Sequence, residues 1–199
     1  KMSTWGILGC GTIAIGDGVK LHLEELGHGN QYNGEGDTTY ENAQARYRTY
    51  ILMDAANMEN GLVVGTGDLS ELALGWCTYN GDHMSMYAVN ASVPKTLVRY
   101  IVESVALKDE VLHDVLIDIC DTPVSPELLP PDKNGKIAQK TEEVLGSYDL
   151  HDFFLYQMLR HHDEPKKIYD LACVAFKDVE KETIKKAIRT FYNRFFTQQ

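Results

Sequence analysis

The 199 residues, 44% hydrophobic and 24% charged, have the balance of a globular chain able to bury one full core, which argues against disordered and fibrous classes. A formal net charge of −10 argues against a broad nucleic-acid or anionic-membrane surface, since both need basic patches that neutralise phosphate. No stretch is apolar over the length a bilayer demands, no secretory leader is evident, and Cys10, Cys77, Cys120 and Cys173 form no C-x-x-C pair. A cytoplasmic setting without membrane or nucleic-acid partners is expected.

Taken in chain order, residues 5–8 read as a short strand entering a glycine turn. Gly9-x-Gly11-x-x-Ala14 has the spacing that lets a pyrophosphate approach a helix N-terminus, as in a dehydrogenase. The context is poor: Gly16 and Gly18 would interrupt the required helix, and no second strand ends in an acidic residue about twenty positions on. A tight strand-to-loop turn is the plainer alternative. Val19, Leu21, Leu23 and Leu26, with Gly27 as a stop, predict a short helix over residues 18–28, followed by a Gly/Asn-rich loop over 29–36.

Thr38 with Glu41 has the spacing of a capping box and opens a helix expected to run to about residue 57. Ala43, Tyr47, Tyr50, Ile51, Met53 and Ala55 form its apolar stripe, leaving Asn42, Arg46 and Arg48 to point elsewhere. Leu62-Val63-Val64-Gly65 predicts a short buried strand of a parallel sheet. Residues 66–93 are polar and glycine-punctuated, and Pro94 is placed as the first position of a helix reaching about residue 107. Prolines at 123, 126, 130 and 131 make a long connection, after which helices are expected over residues 149–161, 165–176 and 180–196. This alternation predicts an α/β fold, a parallel sheet flanked by helices with a helical C-terminal part, whose sheet is small for the helices covering it.

Ligands of open α/β sheets bind at the carboxyl ends of strands, and the strand at 62–65 ends in Thr66-Gly67-Asp68-Leu69-Ser70-Glu71. Thr66 offers a hydroxyl to a nucleotide, and Glu71 offers a carboxylate to a cation or a hydroxyl. An equally good reading is an ordinary acidic helix start, with Asp68 as N-cap. Trp76, Cys77, Thr78 and Tyr79 follow, suited to stacking on a heterocycle or, alternatively, to an ordinary core. Lys95 sits at a helix N-terminus, where it would add to an anion-binding spot or simply be solvated. His161-His162-Asp163 reads as a solvated helix end, because adjacent histidines on a helix diverge.

Thr39-Tyr40-Glu41-Asn42-Ala43-Gln44-Ala45-Arg46, the run from Gly65 to Trp76, and Asn90-Ala91-Ser92-Val93-Pro94-Lys95-Thr96 closely resemble the synthetase domain of glutamine-dependent NAD synthetases. Lys140-Thr141-Glu142-Glu143 and Tyr148-Asp149-Leu150-His151-Asp152-Phe153-Phe154 extend the resemblance, which is nearly continuous over residues 15–199. It implies an ATP-pyrophosphatase fold of the adenine-nucleotide alpha-hydrolase type. The implied reaction is the last step of NAD biosynthesis, in which ATP adenylates deamido-NAD and ammonia from glutamine displaces AMP.

Carried over residue by residue, the resemblance implies deamido-NAD contacts for Asn42, Glu71, Trp76, Cys77, Thr78 and Tyr79, and ATP contacts for Thr66, Lys95 and Thr141. Glu71 alternatively holds magnesium, and Arg46 and Asp68 are further possible contacts. No catalytic residue is assigned, no tightly bound prosthetic group is implied, and a homo-oligomer with an interface at the helix from residue 39 is expected. The family's Ser-Gly-Gly-x-Asp-Ser loop and its glutaminase domain have no counterpart in these residues, so residues 1–199 are read as a partial synthetase domain expected to be inactive alone. Gly9-Cys10-Gly11-Thr12 loosely resembles the turn after the family's second strand, without the longer loop that normally leads on to a strand at Ile13-Ala14-Ile15.

Overall fold

The computed structural model describes residues 12–28, 37–81, 83–122 and 145–198. Two helices open it, α1 (Gly16–Glu25) and α2 (Thr38–Met58). Strand β1 (Val64–Gly65), the short helix α3 (Leu69–Leu74) and strand β2 (Tyr87–Ala88) follow. The other described elements are helices: α4 (Lys95–Ala106), α5 (His113–Asp121), α6 (Tyr148–Tyr156) prolonged by a π-helical turn at Gln157–His161, α7 (Pro165–Ala175) and α8 (Lys181–Thr197). Among the described residues, no helix is long and apolar enough to cross a membrane.

The strands pair in parallel, with Val64 opposite Tyr87 and Gly65 opposite Ala88. Parallel pairing requires a crossover, and α3 with the loop after it supplies one. The expected burial of the first strand is not met: Val64 is 55% exposed and Tyr87 61%. The reason is the position of the main core, which gathers around α3, α6, α7 and α8 through Leu74, Leu150, Phe154, Ile168, Ile184 and Phe191. A second, smaller core joins α1 to α2 through Val19, Leu23 and Ala43.

Local chemistry accounts for most helix boundaries and for the differences from expectation. Asp37, not Thr38, caps α2: its carboxylate accepts from the Tyr40 amide at 2.8 Å, an acceptor three residues ahead of that amide. On α2, Ala43 is buried, whereas Tyr50 from the expected stripe stands in solvent. Pro94 is the N-cap of α4 instead of its first residue. Residues 13–15 form no strand, and Gly16 and Gly18 lie inside α1 instead of breaking it. Gly18 is needed there because any Cβ would run into the Tyr47 ring packed across from α2. Helix α5, which the sequence reading did not anticipate, has no buried residue and packs chiefly on α4. The turn proposed over residues 9–11 and the proline-rich connection lie outside the described residues.

His151 is fully buried in the main core, its ring stacked on Phe191 and edge-on to Phe154. Its Nε2–H donates to the Leu145 carbonyl at 2.7 Å, so Nδ1 carries the lone pair, and that atom is buried without a partner. Burial holds the imidazole below the ordinary histidine range, although the Leu145 carbonyl and Asp152 pull the other way. The unfolded chain takes up this proton near pH ~6.5 and the folded chain only at lower pH, so stability falls as pH drops from about 6.5 toward the folded value. Denaturant midpoints measured between neutral and mildly acidic pH should fall in this way, and the part due to His151 should vanish in His151→Leu. An unchanged pH slope in that variant would refute the assignment.

Candidate functional site

The strand end builds both a helix cap and a cluster of charges. Asp68 caps α3, its Oδ1 accepting from the Glu71 amide at 2.9 Å while Glu71 Oε2 accepts from the Asp68 amide at 3.3 Å, a reciprocal capping box. The helix-start reading of these residues is therefore realised, and it does not use up their carboxylates. Asp68 Oδ2 and Glu71 Oε1 each lie 2.8 Å from Lys95 Nζ, so two acids share one cation. The same ammonium lies 5.3 Å from the centre of the Tyr148 ring. Burial opposes the charge on Lys95, but hydrogen bonds to Asp68 and Glu71 outweigh it and raise the amine above the ordinary lysine value. Lys95 is thus neither simply solvated nor free at the helix end.

A second wall stands beside this cluster. The Thr78 hydroxyl donates to Asn42 Oδ1 at 3.0 Å, Arg46 Nε donates to the Tyr79 carbonyl at 3.0 Å, and the Thr49 hydroxyl donates to the Gly81 carbonyl at 2.8 Å. These bonds lace α2 to the loop after α3 and bring Asn42, Arg46, Thr78 and Tyr79 into one surface. His83 Nδ1 donates to the Thr78 carbonyl at 2.9 Å, which adds the residue to this wall. A Cβ placed on Gly67 would lie 3.7 Å from Glu71 Oε2 and 4.0 Å from His83 Cα, so Gly67 lies between cluster and wall. Thr66 stands exposed at the end of β1, and Tyr79 presents its ring to solvent at 74% exposure.

Trp76 is partly buried. It packs against the main core with the Arg194 guanidinium 5.0 Å from its ring centre. Arg194 also donates to the carbonyls of Leu74 and Gly75, at 2.8 and 3.2 Å, satisfying the end of α3 from α8. Gly75 takes a left-handed conformation there, φ 58°, and a Cβ would meet the backbone of Gln198. Gly75→Ala should therefore cost about 1–2 kcal/mol in denaturant unfolding, and a neutral result would show that the helix end relaxes freely. Cys77 is half-buried in the same loop, and Thr141 lies outside the described residues.

Sequence reasoning passed over Ser70, Thr96, Asp152 and Arg194. Ser70 and Asp152 are buried polar side chains, and both they and Thr96 join α3, α4 and α6 by hydrogen bonds. The only local signal was that Pro94 starts a helix without offering it a side-chain cap.

Two hard carboxylate oxygens converging on one cation position fit the way magnesium is held by one or two carboxylates together with nucleotide phosphates. Among the described residues, no group of three or more His, Cys, Asp or Glu forms a metal site by itself.

A family model described as NAD synthase matches residues 8–194. The chain belongs to the NAD synthase family. It is 44% identical over 174 residues to the glutamine-dependent NAD(+) synthetase of Mycobacterium tuberculosis, an alignment covering 85% of this chain and 25% of that protein. It is 34% identical over 160 residues to the glutamine-dependent NAD(+) synthetase of Acinetobacter baylyi, covering 79% of this chain and 26% of the relative. The chain thus spans about a quarter of the length of these relatives. The crystal structure of a glutamine-dependent NAD(+) synthetase from Cytophaga hutchinsonii superposes with a TM-score of 0.64 at 19% identity, over 92% of this chain and 28% of that one. That likeness gives the NAD synthase fold, and the α/β expectation holds.

Proposed function

We propose that the chain forms the synthetase part of an enzyme that amidates deamido-NAD to NAD at the expense of ATP, with ammonia released from glutamine by a separate glutaminase. The observation carrying this reading is the Lys95 cation held between Asp68 and Glu71 at the strand end, next to the wall of Asn42, Thr78 and Tyr79. In the proposed sequence, an oxygen of the nicotinate carboxylate attacks the α-phosphorus of ATP and pyrophosphate leaves. Ammonia then attacks the acyl carbon, loses a proton, and AMP leaves with the oxygen. Magnesium, when bound, neutralises the phosphate charge.

In this scheme Thr66, Lys95 and Thr141 serve ATP, with Lys95 turning from its carboxylates to a phosphate as the nucleotide arrives. Asn42, Cys77, Thr78 and Tyr79 line the deamido-NAD side. Glu71 holds either deamido-NAD or magnesium. Asp68 orients Glu71 through the capping box, and Arg46 fixes the Tyr79 loop. Trp76 contributes from behind, through its packing under Arg194. A cytoplasmic homo-oligomer completes the reading. The exposed Tyr50, Leu52 and Met58 of α2 support an interface there.

The test supplies the full-length protein with deamido-NAD, ATP, magnesium and ammonium. NAD, AMP and pyrophosphate should appear in equal amounts, and glutamine should replace ammonium. ADP as product, or no NAD, would overturn the reading; tight dinucleotide binding without turnover would point to a binding module instead.

A further inference from the structure

We propose that Asp152, on α6, is a positioning residue for Lys95: it caps α4 from outside and so fixes where that lysine points. The inference deepens the reading above and rests on it for the role of Lys95. Helix α4 begins after Pro94, whose side chain has no acceptor, so the amides of its first turn need partners from elsewhere. The Lys95 amide donates to Ser70 Oγ at 2.9 Å, and the Thr96 amide donates to Asp152 Oδ2 at 2.9 Å. The Thr96 hydroxyl reaches the same Oδ2 at 2.7 Å, while the Ser70 hydroxyl donates to Asp152 Oδ1. Both carboxylate oxygens are therefore engaged, by three donors from two other elements.

Burial decides what this network is worth. Asp152 is 7% exposed and Ser70 1%, so the carboxylate stands in a poorly hydrated place where it persists only if hydrogen-bonded. It gains further from the positive end of the α4 dipole. Its own backbone is held by Leu150, Phe154 and Leu155, all in the main core. The chain of support runs from the core to Asp152, to the first turn of α4 and Ser70, and then to the Lys95 ammonium between Asp68 and Glu71. Among the described residues, Asp152 bonds to Ser70 and Thr96 and to none of the groups assigned to substrate, which makes it a residue acting through another.

A double-mutant cycle in the full-length protein separates this role from a merely structural one. Asp152→Asn keeps the volume and one acceptor for Thr96, whereas Lys95→Met removes the cation. With deamido-NAD, ATP and ammonium, Asp152→Asn should lower kcat/KM for ATP by roughly tenfold, the size expected for weakening charge-assisted hydrogen bonds. In the Lys95→Met background the same substitution should cost nothing further. Equal losses in both backgrounds would overturn the proposal.

A second readout needs no turnover. Competitive acylation followed by mass spectrometry should show Lys95 reacting roughly tenfold faster in Asp152→Asn than in the parent, because its hydrogen-bonded hold is loosened. The other lysines should be unchanged. Equal Lys95 reactivity in a folded Asp152→Asn protein would refute the positioning role. If the full-length protein makes no NAD, the proposed function falls while the acylation result still decides the role of Asp152. Thr96→Val, which removes one donor and leaves the carboxylate, should move Lys95 reactivity in the same direction by a smaller factor, and no movement would count against the relay.

Discussion

Lys95→Met in the full-length protein is expected to lower kcat/KM for NAD formation by about a hundredfold, as does loss of a single charge-stabilising donor at a site of developing negative charge. Lys95 is the described cation that sits at the end of β1 with its charge secured by Asp68 and Glu71. An ammonium so placed can meet a phosphate without first being desolvated, since most of its side chain is already out of water. The variant also leaves Asp68 and Glu71 facing each other without a counter-charge, so its melting temperature should drop. Lys95→Arg separates the two effects. It restores the charge and much of the stability, but the planar fork cannot place one nitrogen between both acids as the ammonium does, so activity should recover less than stability. Unchanged kcat/KM in a folded Lys95→Met protein would remove Lys95 from the site.

Phe154→Ala should destabilise the protein by about 3–5 kcal/mol, the range for deleting a fully buried aromatic ring. Phe154 is 0% exposed, and its ring meets His151, Phe153 and Phe191 edge-on at centroid distances of 6.2, 6.4 and 5.8 Å. These neighbours belong to α6 and α8, so the cavity left behind cannot close by moving one side chain. Since Asp152 lies two residues before Phe154 on the same helix, the loss should reach the site. Denaturant unfolding gives the stability change, and Lys95 acylation in the still-folded variant shows whether α6 has shifted. A loss below about 1 kcal/mol would mean that the aromatic cluster repacks without strain.

Much of the site was legible in sequence because its signals are local. The glycine-punctuated strand end, the acid pair three residues apart and the polar loop after it all lie within residues 65–83, and the structure gathers them into one cluster and one wall. Helices α6 to α8 fall within a few residues of where periodicity and proline placed them. Trp76 could be read two ways from its neighbours alone, and its contact with Arg194, 118 positions further on, left no local trace. Strand β2 went unread because two exposed residues are too few to show a period, and α5 went unread although its sequence is amphipathic.

The sequence by itself determined the α/β character and where most helices start and stop, because caps, turns and helical periods are written within three or four neighbouring residues, and its long motifs marked the family. Only the tertiary structure decided how the charges are satisfied. Lys95 meets acids that lie 24 and 27 positions earlier, Ser70 meets Asp152 across 82, and Arg194 meets Leu74 across 120. Such pairs leave no local trace, since each side chain alone is an ordinary polar residue. They become partners only when burial of the α3, α6 and α8 faces removes the water that would otherwise have served them.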